Sequence, residues 1–210
     1  MRGRDALLTA RARLQAARLY VITPDAAAER VVQIAVAAAR GGADVVQLRH
    51  KTMPRGELLE LARDLRGRMG EALFVVNDYV DIALLSGADG VHLGPDDLTV
   101  AAARKVAGDR LLYGVSASTP AAVQPGADYV GCGPAFSTPL KPEKQVVGPA
   151  GVAAMTAAVS VPVFAIGGID ESNIGQLIDA GVRRACVIRA VGDAADPEQA
   201  TRRLRAMLGE

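Results

Sequence analysis

Aromatic side chains are scarce in this sequence, at 3% of its 210 residues, and tryptophan is absent. Proteins that bind single-stranded nucleic acid stack the bases on exposed aromatic rings, so this composition argues against such a role. The basic and acidic residues number 24 and 23, which gives a formal net charge of +1 and no excess of positive charge for a polyanion. We therefore expect no nucleic-acid partner, and a small molecule is the expected ligand.

Cysteines and long apolar runs are also few. Cys132 and Cys186 lie far apart in apolar segments, which is typical of reduced, buried thiols in a cytoplasmic protein, although a disulfide between them is the alternative. The longest apolar runs, such as VVQIAVAAA, are well short of the roughly 18 residues that span a bilayer, so no membrane association is predicted. The basic N-terminal segment contains Asp5 and no continuous apolar stretch, so residues 1–17 are predicted to form a helix that caps the domain and not a targeting peptide.

Short β-branched segments alternate with longer segments of helical spacing that are rich in Ala, Leu and Arg. Eight strands are predicted, at residues 18–24, 44–50, 72–78, 89–94, 111–116, 128–133, 161–168 and 185–190. Because these segments are apolar on both faces, we expect parallel strands that are covered by helices. An open doubly wound sheet has the same alternation, but a count of eight favours closure into a barrel. The predicted fold class is α/β, a single-domain (β/α)8 TIM barrel over residues 1–210 with an extra N-terminal helix.

The carboxyl ends of the strands meet at one mouth of such a barrel, where active sites form. Asp78 and Asp97 follow strands three and four, which are neighbours, so the two carboxylates are expected to face a common point. Two carboxylates with few other protein ligands suit Mg2+, which keeps several waters and shares its coordination with substrate phosphate oxygens. The simpler alternative is that Asp78, and either Asp96 or Asp97, only cap the helices that follow them.

Basic residues at the same mouth indicate an anion site. In VQLRHK, the alternation of a strand points Gln47, Arg49 and Lys51 in one direction. At this spacing, the guanidinium of Arg can bind two phosphate oxygens at once, and the ammonium of Lys supplies a point charge. Salt bridges to helix carboxylates are the ordinary alternative. His50 and His92 fall between the mouth-facing positions, and we interpret both as packing or supporting residues.

Two later segments extend the predicted mouth. Residues 133–149 form the longest stretch without helix or strand periodicity, and Lys141 is its candidate catalytic cation, whereas Lys144 is more typical of an exposed residue. The Gly167–Gly168 turn after strand seven can bring backbone N–H groups close to an anion. The sequence therefore predicts a diphosphate site formed by Mg2+ and three cations, and a separate monophosphate site formed by Gly168 and Ile188–Arg189.

A family resemblance is carried by five segments: VVQLRHK, VNDYVDIALLSGADGVHLGPDD, YGVSAST, ADYVGCGPAFSTPLK and VFAIGGI. They resemble the thiamine phosphate synthase family in order and spacing, over about residues 18–195. The resemblance implies a Mg2+-dependent transferase that condenses 4-amino-2-methyl-5-hydroxymethylpyrimidine diphosphate with 4-methyl-5-(2-hydroxyethyl)thiazole phosphate, giving thiamine phosphate and pyrophosphate. It also implies a dissociative reaction, in which the diphosphate leaves first and the thiazole nitrogen captures the pyrimidine methylene cation.

The resemblance assigns a role to each matching position. It places Gln47 on the pyrimidine and makes Asp78 and Asp97 the Mg2+ ligands. Around the diphosphate it places Arg49, Lys51, Asn77, Ser116 and Lys141, and it makes four of these catalytic, namely Arg49, Lys51, Ser116 and Lys141. Around the thiazole phosphate it places Thr138, Pro139, Leu140, Gly168, Ile188 and Arg189.

This chain departs from the family pattern at two positions. Leu140 stands where the family usually has a second Thr, and Arg189 stands where it usually has a Ser. The Leu removes one hydroxyl from the thiazole-phosphate loop, whereas Arg189 either strengthens monophosphate binding or points elsewhere. The expected partners are two small-molecule substrates, and a homodimer is expected by family analogy.

Two alternative functions fit the same fold. A thiazole tautomerase-like isomerase needs neither diphosphate nor Mg2+, and that branch uses a His after strand five, where this chain has SAST. A non-catalytic phosphate-binding barrel would need only the glycine site. The presence of Asp78, Asp97 and Lys141 argues against both alternatives.

Overall fold

Eight parallel strands form a closed barrel in chain order, with the eighth strand paired to the first. The computed structural model describes residues 2–138 and 145–209, without the side chains of residues 2–5. The strands are β1 (Leu19–Ile22), β2 (Val45–Leu48), β3 (Leu73–Asn77), β4 (Gly90–Leu93), β5 (Leu112–Ser116), β6 (Tyr129–Cys132), β7 (Val163–Ile166) and β8 (Ala185–Val187). Each lies within a predicted strand segment, and the predicted TIM-barrel fold is confirmed.

Nine α-helices surround the barrel in the described part of the chain. They are α1 (Arg2–Ala16), α2 (Ala28–Arg40), α3 (Arg55–Arg66), α4 (Val80–Ser86), α5 (Val100–Ala107), α6 (Gly148–Ala158), α7 (Ile174–Asp179), α8 (Arg189–Gly192) and α9 (Pro197–Leu208). In residues 2–138 and 145–209, no helix combines the length and the apolar character needed to cross a membrane.

The predicted alternation of strands and helices is wrong after β5, and one predicted strand is too long. β5 is followed by a single 3-10 turn at Pro120–Ala122 instead of a helix. Pro120 begins this turn at a position where its missing backbone N–H costs nothing, but Pro125 lacks the N–H that an α-helix would need there, so the helix cannot continue. The predicted eighth strand is also too long, because β8 ends at Val187 and Arg189 already begins α8.

The core has two layers that follow from the alternation of side chains along each strand. Residues such as Val21, Val46 and Val76 pack outward against the helices, whereas Tyr20 and Val75 belong to a cluster inside the barrel. The larger outer layer holds the helices in place, so the carboxyl ends of the strands present their side chains from a rigid frame.

Helix α1 closes the amino-terminal end of the barrel. Leu7, Ala10 and Leu14 recur at helical spacing and are buried in the same cluster as the barrel interior. Arg11 forms an ion pair of 3.0 Å with Asp128, which directly precedes β6. This is the extra N-terminal helix that the sequence predicts, and it leaves the opposite end of the barrel as the open mouth.

Candidate active site

Gln47 lies inside the barrel on β2 and is only 1% exposed. Its Nε2 donates a hydrogen bond of 2.7 Å to the hydroxyl of Tyr20. Its Oε1 is buried and has no hydrogen-bond partner among the described residues. An unpaired buried acceptor costs about 1–3 kcal/mol, so this oxygen suits a ligand that donates a hydrogen bond to it.

Arg49 and Lys51 belong to the loop after β2, because this strand ends at Leu48 and its alternation no longer determines their direction. Asp25 holds that loop from the end of β1. Its Oδ2 accepts a hydrogen bond of 2.6 Å from Arg49 Nη1, and its Oδ1 accepts one of 2.7 Å from the backbone N–H of Lys51. Burial by itself would raise the pKa of Asp25, but the Lys51 hydrogen bond and the Arg49 charge outweigh it and lower this pKa.

Asp25 is not among the residues that the sequence pattern predicts for the site. One signal could have found it, because it lies just beyond Thr23, at the carboxyl end of the first strand. Thr23 itself is fully buried, and its Oγ1 accepts a hydrogen bond of 3.1 Å from the backbone N–H of Arg49. The end of β1 therefore orients the basic loop after β2.

The carboxyl groups of Asp78 and Asp97 are in hydrogen-bond contact. Burial, together with this hydrogen bond and the charge of Asp97, raises the pKa of Asp78 to about 6. Lys51 Nζ lies 3.8 Å from Asp78 Oδ2 on one side of the pair. On the other side, Asp97 Oδ2 accepts a hydrogen bond of 2.7 Å from the backbone N–H of Gly94.

The capping alternative for these acidic residues is wrong. Tyr79 occupies the N-cap of α4, and Thr99 occupies the N-cap of α5, where its side chain accepts a hydrogen bond from the Ala102 N–H. Asp78 has a φ of 64°, a left-handed conformation that is uncommon for a residue with a side chain. Such conformations concentrate at functional sites, where the surrounding structure holds them.

His92 corrects the interpretation of the fourth strand. It points into the barrel, where its Nε2 lies 2.9 Å from Ser116 Oγ, and it pairs in register with Asn77 of β3. The prediction that His92 falls between the mouth-facing positions is therefore wrong. No sequence signal places it, because only the outward packing of Val91 and Leu93 in the folded barrel leaves His92 on the inner face.

A cavity of about 310 Å³ opens at the carboxyl ends of β7 and β8. It brings together the described residues that were predicted around the thiazole phosphate, namely Thr138, Gly168, Ile188 and Arg189. The segment before residue 139 lies directly on the glycine turn, since the Phe136 N–H donates a hydrogen bond of 2.9 Å to the Gly167 carbonyl. Gly168 has a φ of +66°, and a Cβ there would lie 2.4 Å from the carbonyl oxygen of Ser137, so this approach requires glycine.

Arg189 lines this cavity together with its ion-pair partner Asp193, at 2.8 Å. Pro139, Leu140 and Lys141 lie outside the described residues, as does Lys144. Their roles stay predictions from the sequence.

The closed barrel carries an acidic pair and a basic loop at one side of its mouth and a cavity beside a glycine turn at the other, which defines a TIM-barrel protein with a polar mouth of the kind where active sites form. A family model described as "Thiamine monophosphate synthase" matches residues 19–191. The chain belongs to this family, as the sequence resemblance predicts.

Curated relatives carry the corresponding name. The chain is 47% identical over 199 residues to "Thiamine-phosphate synthase" of Gloeobacter violaceus and 46% identical over 204 residues to that of Thermosynechococcus vestitus. These matches cover 91% and 94% of the chain but only 57% of each relative. A third relative, from Thermobifida fusca, is 45% identical over 211 residues, and the match covers 95% of the chain and 96% of the relative.

Among solved structures, thiamine phosphate pyrophosphorylase from Pyrococcus furiosus superposes with a TM-score of 0.83 at 36% identity, over 95% of this chain and 97% of that one. A 3-hexulose-6-phosphate synthase superposes with a TM-score of 0.73 over 90% of this chain and 98% of that one. Because it is only 22% identical, it shares the fold alone.

Proposed function

We propose that this chain is a thiamine phosphate synthase, which condenses the hydroxymethylpyrimidine diphosphate with the hydroxyethylthiazole phosphate and releases pyrophosphate. The support is the family membership and the match to relatives of this name, one of them covered almost end to end. The observation that carries the proposal is the Asp78–Asp97 pair beside Lys51, because two carboxylates can hold Mg2+ next to a lysine, and a diphosphate leaving group requires concentrated positive charge around its oxygens.

The diphosphate is proposed to bind among Arg49, Lys51, Ser116, Asn77 and Lys141. Arg49 and Lys51 are held in one loop by Asp25, which supports a shared role. Fixed cations at this position would stabilise the negative charge that develops as the bond to the pyrimidine methylene breaks. Lys141 enters this proposal from the sequence alone.

Asp78 and Asp97 are proposed to hold Mg2+. The described residues contain no group of three or more His, Cys, Asp or Glu that could hold a metal. A carboxylate pair nevertheless fits Mg2+, which takes few protein ligands and completes its coordination with water and substrate phosphate. Burial and the neighbouring Asp97 raise the pKa of Asp78, which supports the fit because a bound cation would stabilise the ionised pair. When bound, Mg2+ would neutralise charge on the diphosphate oxygens.

Gln47 is proposed to recognise the pyrimidine ring. Its buried, unpartnered Oε1 supports a hydrogen bond from the 4-amino group of that ring. The cavity beside the Gly167–Gly168 turn is proposed to take the thiazole phosphate through Thr138, Gly168, Ile188 and Arg189. Pro139 and Leu140 are proposed to complete that loop.

The wider organisation is proposed from the same sequence arguments. We infer one domain over residues 1–210, a cytoplasmic protein, and a homodimer by family analogy. No nucleic-acid or membrane partner is proposed. Cys132 and Cys186 are both free and buried, which supports a reducing compartment.

The deciding experiment incubates the purified protein with Mg2+ and both substrates and measures thiamine phosphate and pyrophosphate. Equal amounts of the two products are expected, and EDTA should abolish turnover until Mg2+ is restored. Conversion of a thiazole phosphate without any use of diphosphate would instead support the tautomerase-like alternative. Binding of the thiazole phosphate with no product at all would support a non-catalytic barrel.

A further inference from the structure

Five polar side chains form a continuous row of hydrogen bonds through the inside of the barrel. Gln47 Nε2 lies 2.7 Å from the Tyr20 hydroxyl, which lies 2.9 Å from the Tyr129 hydroxyl. The Tyr129 hydroxyl lies 3.3 Å from His92 Nδ1, and His92 Nε2 lies 2.9 Å from Ser116 Oγ. This polar row connects the proposed pyrimidine contact to a proposed diphosphate contact.

The hydroxyl protons give the polar row a direction. Tyr20 accepts from Gln47, so its own proton goes to Tyr129, the other contact of that hydroxyl within the described residues. Tyr129 then donates to His92 Nδ1. An imidazole that accepts at Nδ1 carries its proton on Nε2, so His92 donates to Ser116. The hydroxyl proton of Ser116 is left for an acceptor outside the polar row.

We propose that His92 is a positioning residue, which orients the Ser116 hydroxyl as a hydrogen-bond donor toward the diphosphate of the pyrimidine substrate. The inference rests on the proposed function. It assigns a role to His92, and to Tyr129 and Tyr20 behind it. None of these three residues is proposed to touch the reacting atoms.

The two ends of the polar row match the two ends of an aminopyrimidine diphosphate. At one end Gln47 Oε1 is a buried acceptor, and at the other Ser116, which accepts from His92 in the proposed direction, is free to donate. The orientation of a Gln amide is assigned from its hydrogen bonds, and turning it around would reverse every proton in the row. In the reversed row, the Gln47 N–H would face the amino group of the pyrimidine, and a lone pair of the Ser116 hydroxyl would face the diphosphate. Both contacts would be mismatched, so the substrate favours the first direction at both ends.

A glycine in β5 leaves room inside the barrel for the polar row. Gly114 of β5 lies beside the ring of Tyr129, and a Cβ at that position would lie 2.0 Å from Tyr129 Cζ and 2.3 Å from its hydroxyl. Glycine at position 114 is therefore what allows Tyr129 to reach both Tyr20 and His92. Burial raises the pKa of both tyrosines well above the usual value, so both hydroxyls keep the proton that they donate.

The tautomer of His92 can be measured directly. The chain has only two histidines, so protein labelled with 15N in its imidazoles gives two sets of NMR signals, and a His92→Gln variant assigns them. We expect the neutral imidazole of His92 to carry its proton on Nε2 and to leave Nδ1 unprotonated. A protonated Nδ1 in the wild-type protein would overturn the proposed direction.

Tyr129→Phe removes the donor to Nδ1 and should shift the His92 signals toward a mixture of tautomers. The matched control is Tyr113→Phe, because the Tyr113 hydroxyl donates to the Gly108 carbonyl outside the polar row. Tyr113→Phe should leave the His92 signals unchanged. Equal responses to both substitutions would show that the polar row does not determine the tautomer.

Steady-state kinetics test the effect on Ser116. Tyr129→Phe and His92→Asn should each lower kcat/KM for the pyrimidine diphosphate about 10- to 100-fold, the range for one hydrogen bond to a charged group. KM for the thiazole phosphate should change less than about twofold, because that substrate is proposed to bind in the cavity at β7 and β8, which Ser116 does not line. His92→Gln keeps an amide N–H near the position of Nε2 and should recover part of the activity that His92→Asn loses.

Equal losses in the Asn and Gln variants, or wild-type kinetics in Tyr129→Phe, would overturn the positioning role. Thermal unfolding of each variant separates these effects from a loss of folded protein. If the wild-type protein makes no thiamine phosphate, the proposed function fails, and the NMR signals then test the direction of the polar row separately.

Discussion

The carboxyl groups of Asp78 and Asp97 are in contact with each other, although the two residues follow different strands. β3 and β4 are paired neighbours in the barrel, so the loops after them meet at one point of the mouth. Lys51 approaches the same pair from the loop after β2. Three consecutive strands thus bring opposite charges to the place where a diphosphate and its metal are proposed to bind.

Asp97→Asn tests the metal proposal. We expect kcat to fall by about two orders of magnitude, because an electrostatic contribution to the transition state is removed while an oxygen remains to accept from the Gly94 N–H. The measurement is pyrophosphate release at several Mg2+ concentrations. Asp96→Asn is the matched control, since Asp96 is an exposed neighbour, and it should retain the wild-type rate. Similar rates in the two variants would refute the assignment of Asp97.

Asp78 should make the metal-free protein less stable as the pH rises. Its pKa is about 6 in the folded protein against an ordinary 3.8, so between these values the folded state binds more protons than the unfolded state. The free energy of unfolding therefore falls as the pH rises from about 4 to about 6, and the loss is complete above that range.

Asp78→Asn should remove this loss. After discounting for solvent screening, we expect the variant to be about 1 kcal/mol more stable than the wild type at pH 8 without metal, and equally stable near pH 4. Urea unfolding at both pH values measures the difference. Mg2+ should raise the unfolding midpoint of the wild type more than that of the variant. A variant that is less stable at pH 8 would contradict the charge repulsion.

Asp25→Asn tests how the basic loop is oriented. An amide can no longer pair with the Arg49 guanidinium as an anion, so KM for the pyrimidine diphosphate should rise about tenfold, the effect of about 1.4 kcal/mol. KM for the thiazole phosphate should stay close to that of the wild type. Asp81→Asn is the control, because Asp81 forms an exposed ion pair with Arg55 on the following helices. If the two variants gave the same KM, the special role of Asp25 would be excluded.

Lys141→Ala should lower kcat by about two orders of magnitude if this lysine stabilises the leaving diphosphate, as the sequence resemblance implies. Lys144→Ala, a change of the same kind in the same segment, should have little effect. Initial rates at saturating substrates compare them. Loss of activity in Lys144→Ala but not in Lys141→Ala would show that the roles of the two lysines are reversed.

Leu14→Ala should destabilise the protein by about 2–5 kcal/mol, because the Leu14 side chain is buried at the closed end of the barrel and its removal leaves a cavity. Leu8→Ala, on the exposed side of the same helix, should change the stability by less than about 0.5 kcal/mol. Chemical unfolding measures both variants. A small effect at position 14 would mean that α1 does not support the barrel.

Much of the fold was accessible from the sequence, because its determinants are local and repeated. A short β-branched run predicts each buried strand, and the count of eight such runs indicates a closed barrel. The acidic residues at the ends of strands three and four could also be placed together, since neighbouring parallel strands end at the same mouth. The predicted helix after β5 is absent because Pro125 interrupts the segment that would have formed it.

The contacts between distant side chains were decided by the tertiary structure alone. Tyr20 and Tyr129 are 109 residues apart in the chain, and only barrel closure brings their hydroxyls within 2.9 Å. The alternation of side chains divides the residues of β4 into two faces, but packing against the helices decides which face turns inward. The position of His92 therefore could not be predicted from the strand itself. The hydrogen bonds from Arg49 and Lys51 to Asp25 were likewise decided by the tertiary structure. They depend on where β2 ends and on the loop after it turning back toward β1.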